Sequence, residues 1–335
     1  MSHRVCLIGG DGIGREVVPA GRRILEATGL PFQFVDAEAG WDTFQRQGTA
    51  LPEETVETVR SCEATLFGAI SSPLQRVEGY ASPIVGLRRR LGLYANLRPV
   101  LSQPVPSSQE GIDMLIVREN SEGLYSGRER SDGDEAVTER VITRAASERI
   151  TRLACELATE RRGRVTIVHK ANVLRATCGL FREAAFAVAA EFAGLEAEEM
   201  LVDVAAMRLI TEPRRFDVLV TTNLFGDILS DEAAALVGGL GLAPSANIGE
   251  VTGVFEPVHG SAPDIAGQGI ANPVATFLAC AMLLDHLGEP TAAAALRASV
   301  DDALRNRIWT PDLGGGATTA EVTEAVATQL QRNLS

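Results

Sequence analysis

A chain of 335 residues with 45% hydrophobic content can bury a large core, and single cores stop growing near roughly 250–300 residues, so two domains are expected. Lys and Arg number 31 against 44 Asp and Glu, and the resulting net charge of −13 argues against a nucleic-acid or anionic-membrane surface. The five cysteines, Cys6, Cys62, Cys155, Cys178 and Cys280, show no CxxC spacing, which argues against a disulfide framework or zinc knuckle and points to a reducing cytoplasmic compartment.

Short apolar runs without alternation, at 5–8, 64–70, 114–117, 165–168, 200–204 and 218–221, read as strands buried on both faces. The segments 16–27, 147–161 and 180–192 carry the 3.6-residue period of helices, so the class is α/β with substantial parallel sheet. Run 5–8 is too short for a signal peptide, and 274–284 falls short of the roughly 20 residues of a membrane span, so a soluble protein is expected. Breaks rich in Pro, Gly and Ser at 98–108 and 238–249 divide the chain in three; if the outer pieces join, the middle is an inserted domain. Several strands run directly into polar clusters, where ligands of α/β sheets gather.

The first cluster, GGDGIG at 9–14, lies between a strand and a helix but lacks GxGxxG spacing and a following Walker lysine. Two readings stand: a tight glycine turn, or a ligand contact. Next, 82–99 gathers Arg88, Arg89, Arg90 and Arg98 in an acidic chain, with Ile84, Val85 and Arg88 on one helical face as a carboxylate clamp beside an apolar wall; Arg118 adds a guanidinium at a strand end. Tyr125 follows that strand, and Lys170 ends another, where partial burial would favour the neutral amine that a proton acceptor needs. Asp203 ends the apolar run MLVDV. In NLFGDILSDEAA, a helical reading sets Asp227 and Asp231 about 40° apart on one face with Ser230, Ala234 and Gly238, opposite a stripe of Leu229, Ala233, Leu236, Val237 and Leu240. Either these carboxylates hold a hard dication, with Asp203 as a third oxygen ligand, or Asp227 caps its helix and Asp231 favours the dipole. The long loop 256–273 suits an adenosine pocket, with Asp264 for a ribose diol.

Taken together, GGDGIGREV, LYANLRP, VRENSEGLY, HKANVL, TTNLFGDILSD and HGSAPDIAGQGIANP resemble, in order and spacing, the β-decarboxylating dehydrogenases that act on isocitrate, 3-isopropylmalate and homoisocitrate. The resemblance implies two α/β domains sharing a central mixed sheet, with the active site in the cleft between them. It assigns 1–99 plus 250–335 to a large cofactor-binding domain, and 100–249 to a small domain with substrate and metal residues. It also implies a homodimer, or a dimer of dimers, in which Lys170 and Asp203 enter the partner's site. Tyr125 and Lys170 would be catalytic; Ser72, Val85, Arg88, Arg98, Arg118 and Asn172 would meet a tricarboxylic hydroxy acid. Asp203, Asp227 and Asp231 would hold Mg²⁺ or Mn²⁺. Asn172, Glu256, His259, Gly260, Ser261, Ala262, Asp264, Ile265 and Asn272 would meet the cofactor. Relatives using the phosphorylated cofactor have Lys and Tyr where this chain has Asp264 and Ile265, which implies NAD.

The SPIV-LRR pattern is most similar to homoisocitrate dehydrogenases, implying formation of 2-oxoadipate in lysine synthesis. Isopropylmalate enzymes carry leucines in this segment, and isocitrate enzymes carry polar groups. Some bacterial homoisocitrate enzymes have Arg where Val85 stands, so 3-isopropylmalate and then isocitrate are the alternatives. A non-catalytic subunit of the same family is the alternative from a different class.

Overall fold

The computed structural model describes residues 2–335 apart from 74 and 76. In chain order the elements are β1 (His3–Gly10), α1 (Gly14–Ala27), β2 (Phe32–Asp36), α2 (Trp41–Gln47), α3 (Glu53–Arg60), β3 (Ala64–Ala69), α4 (Pro83–Arg90), β4 (Ala95–Leu101) and β5 (Asp113–Glu119). There follow β6 (Glu129–Ser131), β7 (Ala136–Thr138), α5 (Arg144–Thr159), β8 (Arg164–His169), α6 (Thr177–Ala189), β9 (Glu196–Leu201), α7 (Val202–Thr211), β10 (Val218–Thr221) and α8 (Asn223–Ala235). The chain closes with β11 (Pro244–Ile248), β12 (Gly253–Pro257), α9 (Val274–His286), α10 (Pro290–Arg305) and α11 (Thr319–Leu334). The fold is α/β with a large mixed sheet.

Two compact units form. The first takes in the chain up to Leu93, Gln103–Ser108 and Gly238–Ser335. Its strands run in the order β2-β1-β3-β12-β11, parallel except for the antiparallel β11–β12 pair. Cys6, Ile8, Phe67, Leu87 and Val254 build one of its cores. The second unit, Tyr94–Ser102 with Gln109–Val237, orders its main strands β4-β5-β10-β8-β9, with only β4–β5 antiparallel, and adds the small β6–β7 ribbon. Its core joins Met114, Ile116, Val168, Leu209, Leu219 and Leu229.

Register positions the chemistry in the second unit. Arg118 on β5 lies opposite Thr221 on β10, which lies opposite Val168 on β8, and His169 lies opposite Leu201 on β9. The parallel strands therefore deliver Arg118, Lys170 and Asn223 to one edge, at their carboxyl ends.

Three expected boundaries shift. The run 200–204 is not a strand throughout: β9 stops at Leu201 and α7 starts at Val202, so Asp203 stands in the first turn of a helix. The charged residues Glu196, Glu198 and Glu199 fit the last strand of the sheet because only β8 covers it. The break 98–108 contains the end of β4, and the break 238–249 contains β11. In β11, Ser245 and Asn247 are fully buried; the Asn247 amide is bonded to Arg88, Glu256 and the Val254 carbonyl, so polar residues that composition marks as loop are satisfied inside a sheet.

The GGDGIG segment is a turn built on close backbone approach. Gly10 and Gly12 have φ of +70° and +54°, and a Cβ would fall 2.0 Å from the Ala69 carbonyl oxygen at Gly10 and 2.0 Å from the Ser261 carbonyl oxygen at Gly12. The buried Asp11 carboxylate accepts the N–H groups of Trp41 (2.7 Å), Asp42 (3.0 Å) and Ser71 (2.9 Å), thereby capping α2 and tying down the chain after β3. Among the described residues no helix is long and apolar enough to cross a membrane. Asp11→Ala strands three backbone donors and is expected to lower unfolding free energy by about 3 kcal/mol. Urea denaturation measures this, and an unchanged midpoint would contradict the capping role.

Candidate active site

The guanidinium of Arg118 is only 1% exposed and must be paired where it lies. Its Nε and one terminal nitrogen donate to Asn223 Oδ1 at 3.1 and 2.7 Å, and the other terminal nitrogen donates to Asp227 Oδ1. Asn223 opens α8, and its amide nitrogen donates to the Glu122 carbonyl at 3.1 Å, which fixes the acceptor's direction. The second Asp227 oxygen accepts the Tyr125 hydroxyl at 2.6 Å, while the Arg118 guanidinium carbon sits 5.2 Å from the Tyr125 ring centroid. Burial, and then the Asp227 carboxylate, push the Tyr125 hydroxyl above its ordinary pKa, so the proton stays on the phenol. Arg98, also buried, donates to Asn96 Oδ1 and to Asp231 Oδ1, both at 2.9 Å, and lies 3.8 Å from Asp227 Oδ1.

This geometry removes the capping alternative for Asp227. The cap position of α8 is Thr222, so Asp227 stands in the second turn and does not cap the helix. The small residues that share this face do not leave it open: Ser230 and Ala234 are buried, and the Ser230 hydroxyl donates to the Asp227 carbonyl at 3.0 Å. Leu240, expected in the buried stripe, is 39% exposed. Two carboxylates one helical turn apart, with side chains 32% and 54% exposed, are the kind of oxygen donors that a hard dication takes.

Lys170 follows β8, with its amine bonded to Asp203, and this contact holds the Asp203 carboxyl below the usual carboxylate range. It is the only lysine among the 31 basic residues of the chain. Among the described residues no three metal-capable side chains come together, so Asp203 does not join Asp227 and Asp231 within one chain. Asn172, two residues further on, is exposed. Behind Lys170, His169 Nε2 lies 3.0 Å from Glu199 Oε2, and Arg182 grips both Glu199 oxygens.

In the first unit Arg88 is buried, with its Nε on Asn247 Oδ1 at 3.0 Å and a terminal nitrogen 3.6 Å from Glu256 Oε1. Beside Arg88, Ile84 and Val85 are both half-buried, and Ile84 also packs against the core. Ser72 is exposed beside Ser71. The loop after β12 is held by Ile13 N–H on the Ser261 carbonyl (2.9 Å) and by the Ser71 hydroxyl on the Ser261 hydroxyl (2.7 Å). Ala262 takes φ +38°, a strain of order 1 kcal/mol that the clamp on Ser261 offsets. His259 Nδ1 lies 3.0 Å from the Gly260 carbonyl and must carry the ring hydrogen, leaving the buried Nε2 as an acceptor without a partner among the described residues. Burial keeps this imidazole neutral, a good match to an amino donor on an adenine ring. Gly260 and Asp264 are exposed, whereas Ile265 packs against Ile13, Val17 and Ala271. Asn272 donates to Asp312 Oδ2 at 2.9 Å and accepts Val274 N–H at 3.0 Å.

Several residues that shape these groups were not singled out from the sequence. Gly226 is one: a Cβ there would stand 2.6 and 2.7 Å from Arg118 Cγ and Cβ, so only glycine lets the arginine pass. A glycine inside a helix costs about 1 kcal/mol against alanine, which is itself a signal of close packing. Asn96, Asn223 and Asn247 carried no comparable signal.

Arg182 lowers the Glu199 pKa to about 2 from 4.5, with His169 adding to the effect. A depressed carboxylate contributes stability that is complete above the unfolded value near 4.5 and disappears as pH falls toward 2. Glu199→Gln is therefore less stable than the parent at pH 7, and the difference shrinks as pH drops through this window. Urea unfolding at several pH values checks it, and a gap that widens on acidification would contradict the pairing.

Residues 4–326 match the family model described as isocitrate/isopropylmalate dehydrogenase. The chain is 59% identical, over 99% of both chains, to an isocitrate/homoisocitrate dehydrogenase of Thermus thermophilus. It is 53% identical to a 3-isopropylmalate/3-methylmalate dehydrogenase of Methanocaldococcus jannaschii, over 98% of this chain and 99% of that one. The crystal structure of isocitrate dehydrogenase from Methylococcus capsulatus superposes with a TM-score of 0.94 at 44% identity, covering 98% of this chain and 99% of that one. With motifs, fold and relatives in agreement over nearly its whole length, the chain belongs to the isocitrate/isopropylmalate dehydrogenase family of decarboxylating hydroxy-acid dehydrogenases.

Proposed function

We propose that this protein oxidises and decarboxylates homoisocitrate to 2-oxoadipate with NAD and Mg²⁺ or Mn²⁺, in the cytoplasm, as a step of lysine synthesis. One observation carries the reaction type: Asp227 meets two guanidinium groups and a phenol that retains its proton. That combination serves carboxylate binding and proton delivery in one place. The relative of 59% identity, named for isocitrate and homoisocitrate, supports the substrate. The apolar side chain of Val85 favours a second reading, in which the substituent on the malate is the isopropyl group of 3-isopropylmalate.

In this reading Arg88, Arg98 and Arg118 bind the substrate carboxylates, Ser72 contacts the substrate, and Asn172 serves both substrate and cofactor. Lys170 Nζ takes the proton of the C2 hydroxyl, and the Tyr125 hydroxyl returns a proton to C3 after carbon dioxide leaves. Asp227 and Asp231, with Asp203 of a second copy, would hold the dication. Bound there, NAD would supply a hydride acceptor for C2, and a dication would supply charge withdrawal at the reacting oxygens. Position 170 needs an amine, because an arginine does not give up its proton in this range. In a chain that otherwise uses arginine throughout, the single lysine supports this role. The 1–99 plus 250–335 domain binds the cofactor through Glu256, His259, Gly260, Ser261, Ala262, Asp264, Ile265 and Asn272. The unpaired His259 nitrogen is consistent with this assignment.

A homodimer or a dimer of such dimers follows, and Met207 and Ile210 on α7 with Ile228 on α8, each more than half exposed, offer an apolar surface for the second copy. Homoisocitrate is expected to give the highest kcat/KM among the three acids, and Lys170→Met is expected to abolish NADH formation with all of them. A tenfold lead for 3-isopropylmalate, about 1.4 kcal/mol, would overturn the substrate assignment, and turnover by Lys170→Met would overturn the role of the lysine.

A further inference from the structure

The main chain around Lys170 is fixed by two side chains and by the turn that follows it. Its own N–H donates to Cys178 Sγ at 3.2 Å, and its carbonyl accepts Leu174 N–H at 2.8 Å. The next N–H, that of Ala171, donates to His169 Nδ1 at 3.1 Å. Because Nδ1 accepts here, the ring hydrogen of the neutral imidazole resides on Nε2 and points to Glu199 Oε2. Glu199 is in turn gripped by Arg182, so a chain from α6 through β9 selects one tautomer of a ring that is 3% exposed.

We infer that His169 is a positioning residue whose Nδ1, oriented through Glu199 and Arg182, sets the peptide after Lys170 and thereby the reach of the Lys170 amine. The inference rests on the reading of Lys170 as proton acceptor. The imidazole has two separable contacts, one forward to the Ala171 N–H and one backward to Glu199. Only the forward contact acts on the lysine.

Two polar substitutions separate them. His169→Asn places an acceptor oxygen near the Nδ1 position and gives up the Glu199 contact, whereas His169→Gln keeps a group near Nε2 and gives up the Nδ1 acceptor. Two readouts apply: kcat and KM for whichever of the three acids is turned over, and the rate at which acetic anhydride acylates Lys170 in the substrate-free protein. As the sole lysine, its peptide is read directly by mass spectrometry.

His169→Gln is expected to lower kcat about tenfold or more with KM within about twofold, and to change the acylation rate at least about threefold. His169→Asn is expected to stay within about threefold of the parent in both readouts. The opposite order, with Asn impaired and Gln intact, would mean that His169 serves only to anchor Glu199, and overturns the inference. So would parental values in both variants. Lys170→Met, assayed in parallel, keeps the two layers apart: if it is inactive while His169→Gln is normal, the positioning role alone falls. If Lys170→Met stays active, the proton-acceptor reading falls, and the acylation rates still decide whether His169 sets the amine.

Discussion

The second unit is organised around the burial of one guanidinium. Arg118 comes off the end of β5 with almost no access to water, and a buried charge is tolerable only when paired and fully hydrogen-bonded. Four features answer that demand: Asn223 at the start of α8, Gly226 where the arginine stem crosses the helix, Asp227 in the next turn, and the Tyr125 ring alongside. The same Asp227 then fixes the Tyr125 hydroxyl and draws Arg98 near. Charge compensation and reactive geometry are here a single arrangement.

The lysine and its aspartate make a second, separate pair. Lys170 and Asp203 hold each other, while Asp227 and Asp231 are held by arginines. Within one chain the three aspartates remain apart. A second copy docking on the apolar residues of α7 and α8 supplies the missing ligand in the proposed dimer.

The strands and the long helices were legible because apolar runs and 3.6-residue periods are local properties, as in β5, β8 and α5. The GGDGIG turn admits two readings from sequence because its constraints lie far away along the chain: Gly10 faces Ala69, and Gly12 faces Ser261. The shared face of Asp227 and Asp231 was readable from spacing, but burial of Ser230 and Ala234 was not, since periodicity tells which residues align and not what covers them. Likewise β11 is hidden by its own composition, because Ser245 and Asn247 are buried and the Asn247 amide is satisfied by partners outside the segment. The one lysine among the basic residues was in plain view, and it becomes informative once proton transfer is at issue.

In the proposed dimer a working site takes its carboxylate–phenol group from one chain and its lysine from another. Mixing Lys170→Met with Asp227→Asn under conditions that exchange subunits tests this most directly. Each variant alone is expected to be inactive, and random pairing should restore about a quarter of parental NADH formation, because half of the dimers carry one intact site of two. A mixture no more active than its two parents, with exchange verified by a mass tag, would contradict the account.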